Sequence, residues 1–578
     1  MNTSPTRTAA AGAALALAVL APSPASAQAD DTLPVDLTGR YTTGQFDESA
    51  AEIVAYDADG LRAFVVNAHS GKVDVLDVTD PTAPAKVDEW DAASLAGLPG
   101  GVVNSIAVHD GQVAVAVAAE PRTEPGAIVF ADTEGEFLAA VPAGANPDSV
   151  AYSPDGSYLV SADEGEPDDD YSTDPAGTVT VVDASTLEPS TADFTAWDED
   201  GEKTLPEDVR IFGPEWTLSE PDAVSRNLEP EYVAVDPGGA KAYVTLQENN
   251  AVAVVDLASA EVTDVHSLGF KDHGAEGNGF DPSDKDGKID IAERDVYGMY
   301  QPDGFRATEI DGETYLVTAN EGDGREWGEY SEEARVEDLD LCEGAVEDAD
   351  ALGRLKVTTT LGYDDEAGCH EDLYAFGSRS FSIWTTDGDL VFDSGSDFER
   401  ILAEELPEHF NADNDENDFD ARSDAKGPEA EDVAVGEVDG RTYAFVGLER
   451  QGGILVYDIS DPVSPEYVRY VSDRDFSIEP GTGDAGDLGP ESLKFVAGED
   501  SPSGDSMLIV GNEVSGSTTL YTVGGENGSG TGSDEDDSAQ EKLPVTGAST
   551  IGIAATGAVL LVAGGALVWA LRRKELAS

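Results

Sequence analysis

The chain has 578 residues, with 118 Asp and Glu against 32 Lys and Arg, a formal net charge of −86. Such a surface repels phosphate backbones and anionic lipid faces, which argues against nucleic acid and anionic membrane surfaces as partners. With 40% hydrophobic residues, 61 Gly and 30 Pro, the composition suits a core-forming, turn-rich β protein.

Residues 1–27 read as a secretory signal. Arg7 supplies the positive start, residues 9–21 form an apolar run too short to span a bilayer, and Ala25-Ser26-Ala27 matches a small-residue cleavage site. The mature chain then begins near Gln28. Residues 34–41 are strand-like but have no partner of their own. We expect residues 34–45 to supply the outer strand of a sheet whose other strands lie in 493–523, closing a ring.

From Glu52 onward one unit recurs: a polar, mostly acidic residue opens a short strand, a turn follows, and a second strand ends in another acidic loop. Its clearest copy is 302–323, where Asp311-Gly312 between two runs of β-branched and aromatic residues is a hairpin signal. Other copies begin at Glu52, Asn104, Asn146, Glu229, Glu431 and Pro490, seven in all. Most are followed by a third strand ending in a polar residue, usually Asp, such as Thr178–Asp183 or Ile454–Asp458. This pattern predicts an all-β fold, a seven-bladed β-propeller over residues 33–523 with long inserted loops.

Two insertions stand out. In the first, Asp284, Asp286, Asp290 and Glu293 fall at the third, fifth, ninth and twelfth positions of an EF-hand-type calcium loop. Pro282 occupies the first position, where a carboxylate is required; a displaced Asp281 would restore it, and a plain acidic turn is the alternative. The second runs from about Arg325 to Tyr374 inside the fifth unit and contains both cysteines, Cys342 and Cys369. In an exported chain two cysteines are most simply one disulfide.

Residues 524–542 form a Gly/Ser/acidic linker without a packing pattern. Then come Leu543-Pro544-Val545-Thr546-Gly547, an apolar run over 551–571 and the basic Arg572-Arg573-Lys574. Pentapeptide, span and basic tail in this order, over 543–578, resemble the LPxTG cell-wall sorting signal of Gram-positive surface proteins. The resemblance implies a sortase that cuts after Thr546 and joins it to peptidoglycan, with the transmembrane helix 551–571 holding the chain in the plasma membrane beforehand.

The segments Gln247-Glu248-Asn249-Asn250, Pro302-Asp303-Gly304, 319–323, 377–382, 422–429, Gly447-Leu448-Glu449-Arg450 and 511–516 resemble the choice-of-anchor I family, which is related to the mesenchyme-specific cell-surface glycoprotein of biomineralising cells. Some relatives carry alkaline phosphatase or phytase-like labels. The chain has no G-x-S-x-G, H-E-x-x-H or C-x-x-C and only 6 His, which disfavours a serine hydrolase or a zinc enzyme.

Acidic residues at equivalent positions carry the functional reading. Glu52, Asp148, Glu231, Asp303, Glu431 and Glu491, with Asn104 in the remaining unit, should surround one mouth of the channel. Glu120, Glu164, Glu248, Glu321, Glu449 and Glu513 should lie outside them, with Asp323 beside Glu321. Oxygen ligands without His or thiol favour calcium or magnesium, and we take calcium. Arg325, Arg379, Arg422 and Arg450 flank these motifs, either pairing with neighbouring carboxylates or forming an anion site.

Two functions follow: a wall-displayed binding module for an extracellular ligand, with no catalytic group required, or a calcium-dependent phosphoesterase. We favour the first, since no general base or nucleophile is evident. For display, Thr546→Ala should move the protein from the peptidoglycan fraction to the membrane and medium. Unchanged attachment to purified peptidoglycan would remove the sortase reading.

Overall fold

The structure is a computed structural model that describes residues 33–525, apart from 329, 347–348 and 483–484. The signal 1–27, the linker beyond residue 525, the pentapeptide 543–547 and the span 551–571 lie outside the described residues. Among the described residues no helix is long and apolar enough to cross a membrane.

The recurring unit of the sequence is a four-stranded antiparallel sheet. In the first, Val54–Asp57, Arg62–Asn67, Lys72–Asp77 and Ala85–Trp90 pair in chain order, and among the described residues there are seven sheets of this size. The second and third strands are buried on both faces, as in Arg62–Asn67, so they read as continuous Val- and Ala-rich runs. The fourth strand, Ala85–Trp90, is mostly exposed and carries charge.

Each sheet buries its faces against its two neighbours. Phe64 and Val75 of the first pack on Val115 and Val129 of the second; further apolar cores join the second to the third and so on in order. A last core sets Met507 and Ile509 of the final sheet against Val54 and Val65 of the first. This closed circular array is the arrangement of a β-propeller. The final sheet has the order Val35–Thr42, Ser517–Val523, Ser506–Asn512, Pro490–Val496 from outside to inside, so both ends of the ring meet in one sheet, as residues 34–45 were expected to provide.

Neighbouring inner strands are also latched by a repeated side-chain bond. Ser105 Oγ accepts from the Val150 N–H at 3.2 Å, Ser149 Oγ from Val233 at 3.4 Å, and Ser492 Oγ from Val54 at 3.1 Å. Asp432 takes the same place between the sixth and seventh sheets, accepting from Leu493 N–H at 2.8 Å. Gly304 is required there, because a Cβ would stand 2.2 Å from Asp432 Oδ1.

The insertions build a further sheet beside the ring. Phe270–Asp272, Tyr297–Met299, Tyr374–Ala375, Lys356–Thr358 and Glu333–Arg335 pair in that order around a core that includes Phe280, Leu352, Leu355 and Val357. The described residues of 325–374 are therefore folded, and among them Cys342 and Cys369 are bridged, with Cα atoms 5.1 Å apart.

Removing one latch leaves a buried N–H without a partner. Ser492→Ala should lower the unfolding free energy by about 1–3 kcal/mol, measured by urea titration, whereas Ser501→Ala in the loop before Ser506–Asn512 should change it by less than about 0.5 kcal/mol. Equal effects would show that the latch contributes nothing.

Candidate functional site

Four inner strands carry an irregularity at their first residues that aims a polar side chain into the channel mouth. Strand pairing skips Asn104, Asp148 and Glu491, and it skips Glu431 together with Asp432. A bulged residue leaves the alternation of the strand and points where the pleat would not send it. Asp303 stands just before Phe305–Ile310, with the Gly304 N–H bonded to Glu431 O at 3.0 Å.

The result is a cavity of about 200 Å³ whose wall includes Glu52, Asn104, Asp148, Asp303, Glu491 and Tyr232. Glu231 and Glu431 stand beside Asp303, both buried. The second acidic set lies next to the first: Glu164 and Glu248 by Glu231, Glu321 and Glu449 by Glu431, Glu513 by Glu52 and Glu491. Glu120 lies farther out and is exposed, in a surface groove with Arg122 and Trp327.

Desolvation and mutual repulsion raise Glu52, Asp148, Glu231, Asp303, Glu431 and Glu491 above the ordinary carboxyl range. Burial, then Glu513, push Glu52 from its usual 4.5 to about 8. Burial and Glu166 bring Asp148 to about 6, and burial with Glu321 and Glu248, against Lys426, brings Asp323 to about 7. Glu231, Asp303, Glu431 and Glu491 are raised by burial first and by neighbouring carboxylates second. One oxygen of Glu231, Glu248 and Glu431 is buried without a hydrogen-bond partner.

One sector is different. Lys426 Nζ bonds Glu321 and lies 3.3 Å from Glu429 Oε2; Arg422 Nε donates to Glu429 at 3.1 Å and Arg450 Nε at 3.2 Å. Burial would raise Glu429, but Lys426, Arg422 and Arg450 overcome it and hold its carboxyl far below the usual range. Among the described residues, Glu321, Glu429 and Glu449 each bring one oxygen within 4.8 Å of the others, and the cations serve them already.

The four arginines singled out in the sequence are all committed. Arg422 and Arg450 serve Glu429. Arg325 Nη2 is 2.8 Å from Glu229 and donates to Asn227 O at 2.8 Å. Arg379 bonds Glu399 at 2.6 Å and the carbonyls of Asp281, Ser423 and Ala425, tying the added sheet to the ring. Among the described residues, the EF-hand-like loop brings no three carboxylate oxygens within 4.8 Å of one another. Asp281 accepts from the Ser283 and Asp290 N–H groups, Asp284 pairs with Lys285 and Arg354, Asp286 with Lys288, Asp290 with Lys288 and Arg294, and Glu293 is exposed.

Sequence reading missed Lys426, Arg306 and the Ser/Asp latches. The signal for the latches was present, since Ser follows the bulged residue in Asn104-Ser105, Asp148-Ser149 and Glu491-Ser492. Arg306 donates to Asp432 at 2.9 Å and lies 5.2 Å from the Tyr232 ring, contacts between different sheets that local sequence does not announce.

A ring of sheets with polar groups gathered at one mouth defines a β-propeller. The sequence profile of the choice-of-anchor I domain matches residues 52–462, and the chain belongs to that family. It is 32% identical over 186 residues to Gigasin-3a of Magallana gigas, covering 30% of this chain and 65% of that protein. It is 31% identical over 281 residues to the mesenchyme-specific cell surface glycoprotein of Strongylocentrotus purpuratus, covering 42% of this chain and 36% of that protein. The matched region thus spans less than two thirds of either relative. Similar solved structures include the Kuenenia stuttgartiensis hydrazine synthase, with a TM-score of 0.41 and 13% identity over 83% of this chain and 99% of that one. Another is the Cps50 (Swd1) β-propeller domain of Myceliophteria thermophila, with a TM-score of 0.41 and 9% identity over 85% and 99%.

The raised carboxyls give stability a sign with pH. Between about 4.5 and about 8 the folded Glu52 keeps a proton that the unfolded chain releases, so its contribution is full below that window and is lost as pH rises through it. Glu429 acts oppositely, losing its contribution as pH falls below the ordinary carboxyl range. In EDTA, the urea midpoint should fall as pH rises across this window, and Glu52→Gln should flatten the fall. A midpoint independent of pH there would show that the mouth is fully screened.

Proposed function

We propose that this chain is a binding domain displayed on a bacterial surface. The ring over 33–523 is a seven-bladed propeller, exported by 1–27, carried on the linker 524–542 and joined through Thr546 to peptidoglycan by a sortase. It holds calcium at the acidic mouth and meets an extracellular ligand there. Membership of the choice-of-anchor I family and similarity to a cell surface glycoprotein support the surface location.

The observation that carries the calcium reading is the set of buried, unpartnered oxygens of Glu231, Glu248 and Glu431 within a cluster of like charges. Carboxylates so placed cost several kcal/mol each unless a cation or a proton meets them. Hard oxygen donors from several blades, with room left for water, suit calcium, which tolerates irregular shells of 6–8 oxygens. A phosphoesterase would need an arginine turned towards the metal; Arg325, Arg379, Arg422 and Arg450 are spent on carboxylates and carbonyls, and Arg122, which lines the cavity, donates to Glu166 at 3.1 Å.

Calcium that binds only the folded chain stabilises it by mass action. At saturating calcium the unfolding free energy of the full chain should exceed its value in EDTA by about 1–3 kcal/mol, and sodium at equal ionic strength should give less. Equal effects of sodium and calcium would reduce the mouth to a screened surface.

A further inference from the structure

Beyond the acidic mouth the channel changes sign. A second cavity, of about 330 Å³, begins at a collar of Ile53, Ser105, Ser149 and Tyr232, which line both spaces, and extends to His109 and Pro154 at the other ends of the inner strands. The chain has 118 Asp and Glu, yet among the described residues none lines this cavity. The charged side chains in its wall are Arg306 and Lys494, with the imidazole of His109 at the end.

The repeat itself sets this level of the channel. Three residues after the mouth position, five inner strands carry alanine, at Ala55, Ala107, Ala151, Ala234 and Ala434, and the other two carry Arg306 and Lys494. Small side chains leave the lumen open there, and two long cationic ones stand beside the opening.

The two cations are not equivalent. Arg306 is held: Nη2 donates to Asp432 at 2.9 Å, Nη1 donates to the Phe305 carbonyl at 2.8 Å, and the guanidinium lies 5.2 Å from the Tyr232 ring. Lys494, on the inner strand Pro490–Val496, is exposed to the lumen, and among the described residues its Nζ has neither a hydrogen bond nor an ion pair. Enclosure by the ring, then the like charge of Arg306, lower its ammonium from the usual 10.5, against the attraction of Asp432. Asp432 is already shared between Arg306 and the Leu493 N–H. Two cations against one carboxylate leave an uncompensated positive charge in the lumen, which is costly in an enclosed site unless a counter-ion meets it.

We propose that this cavity is an anion site, in which a small oxyanion of the phosphate or carboxylate class binds Lys494, with Arg306 as the second cation. The acidic mouth repels such a ligand, so it enters from the His109 end and stops at the collar. A space of this size also takes a small organic body, which lies against the alanines and Tyr232. The site is separate from the acidic mouth and does not depend on calcium there.

The test is calorimetric titration of the full chain, in EDTA, with inorganic phosphate, phenyl phosphate and benzoate, which separate the two anion classes and the contribution of an organic body. The expected result is one equivalent bound of at least one of the three. Lys494→Met should weaken it about tenfold or more, Lys494→Arg should restore most of the affinity, and Lys285→Met, which removes the same charge from an exposed lysine outside the channel, should leave it unchanged. Loss of the Lys494 charge relieves its repulsion by Arg306, so the variant retains the fold, checked by circular dichroism. Equal binding by Lys494→Met, binding that appears only when calcium is added, or no binding of any of the three would overturn the site.

Discussion

Closure of the ring is the constraint on which the rest depends. Sheets apolar on both faces cannot stand alone, and each finds its cover only in the sheets before and after it. The array is stable once the last sheet meets the first, which the chain achieves by lending Val35–Thr42 to the sheet that contains Ser517–Val523. Burial of Met507 and Ile509 against Val54 and Val65 completes the circle. The Ser and Asp latches then set the distance between neighbouring inner strands, where apolar packing alone has little directional preference.

Closure has an electrostatic consequence. Inner strands that run the same way along one axis bring equivalent residues together, and here those residues are carboxylates. Two solutions to the repulsion coexist within one mouth. Around Glu429 the chain provides Lys426, Arg422 and Arg450 and holds the carboxylate ionised. Around Asp303 it provides no comparable cation, and burial with mutual repulsion favours protons or a bound ion.

With 32 Lys and Arg against 118 acidic residues, basic side chains are placed where one cation serves several acceptors. Arg379 gathers a carboxylate and three carbonyls, and Arg474 gathers the carbonyls of Asp413, Glu416, Arg450 and Gln451. A planar guanidinium with five donors suits this work better than an ammonium. These arginines hold loops and the added sheet in place, which explains why they stand beside acidic motifs.

The unit at 302–323 was legible because its turn, strands and acidic ends all lie within one short stretch, and its repetition announced the circular fold. The partner of 34–45 was legible for a topological reason, since a ring needs its ends joined. The bulges that turn Asp148 and Glu491 inward follow from strand pairing, and only their acidic residues showed in advance. What the sequence by itself determined is the repeating sheet and the chemical type of the mouth, because local pattern and residue identity set both. Which carboxylates meet Lys426, which are left without a partner, and that Arg306 reaches Asp432 and Tyr232 were decided by tertiary structure alone. Those pairings join residues more than a hundred positions apart in some cases and exist only when the ring is closed.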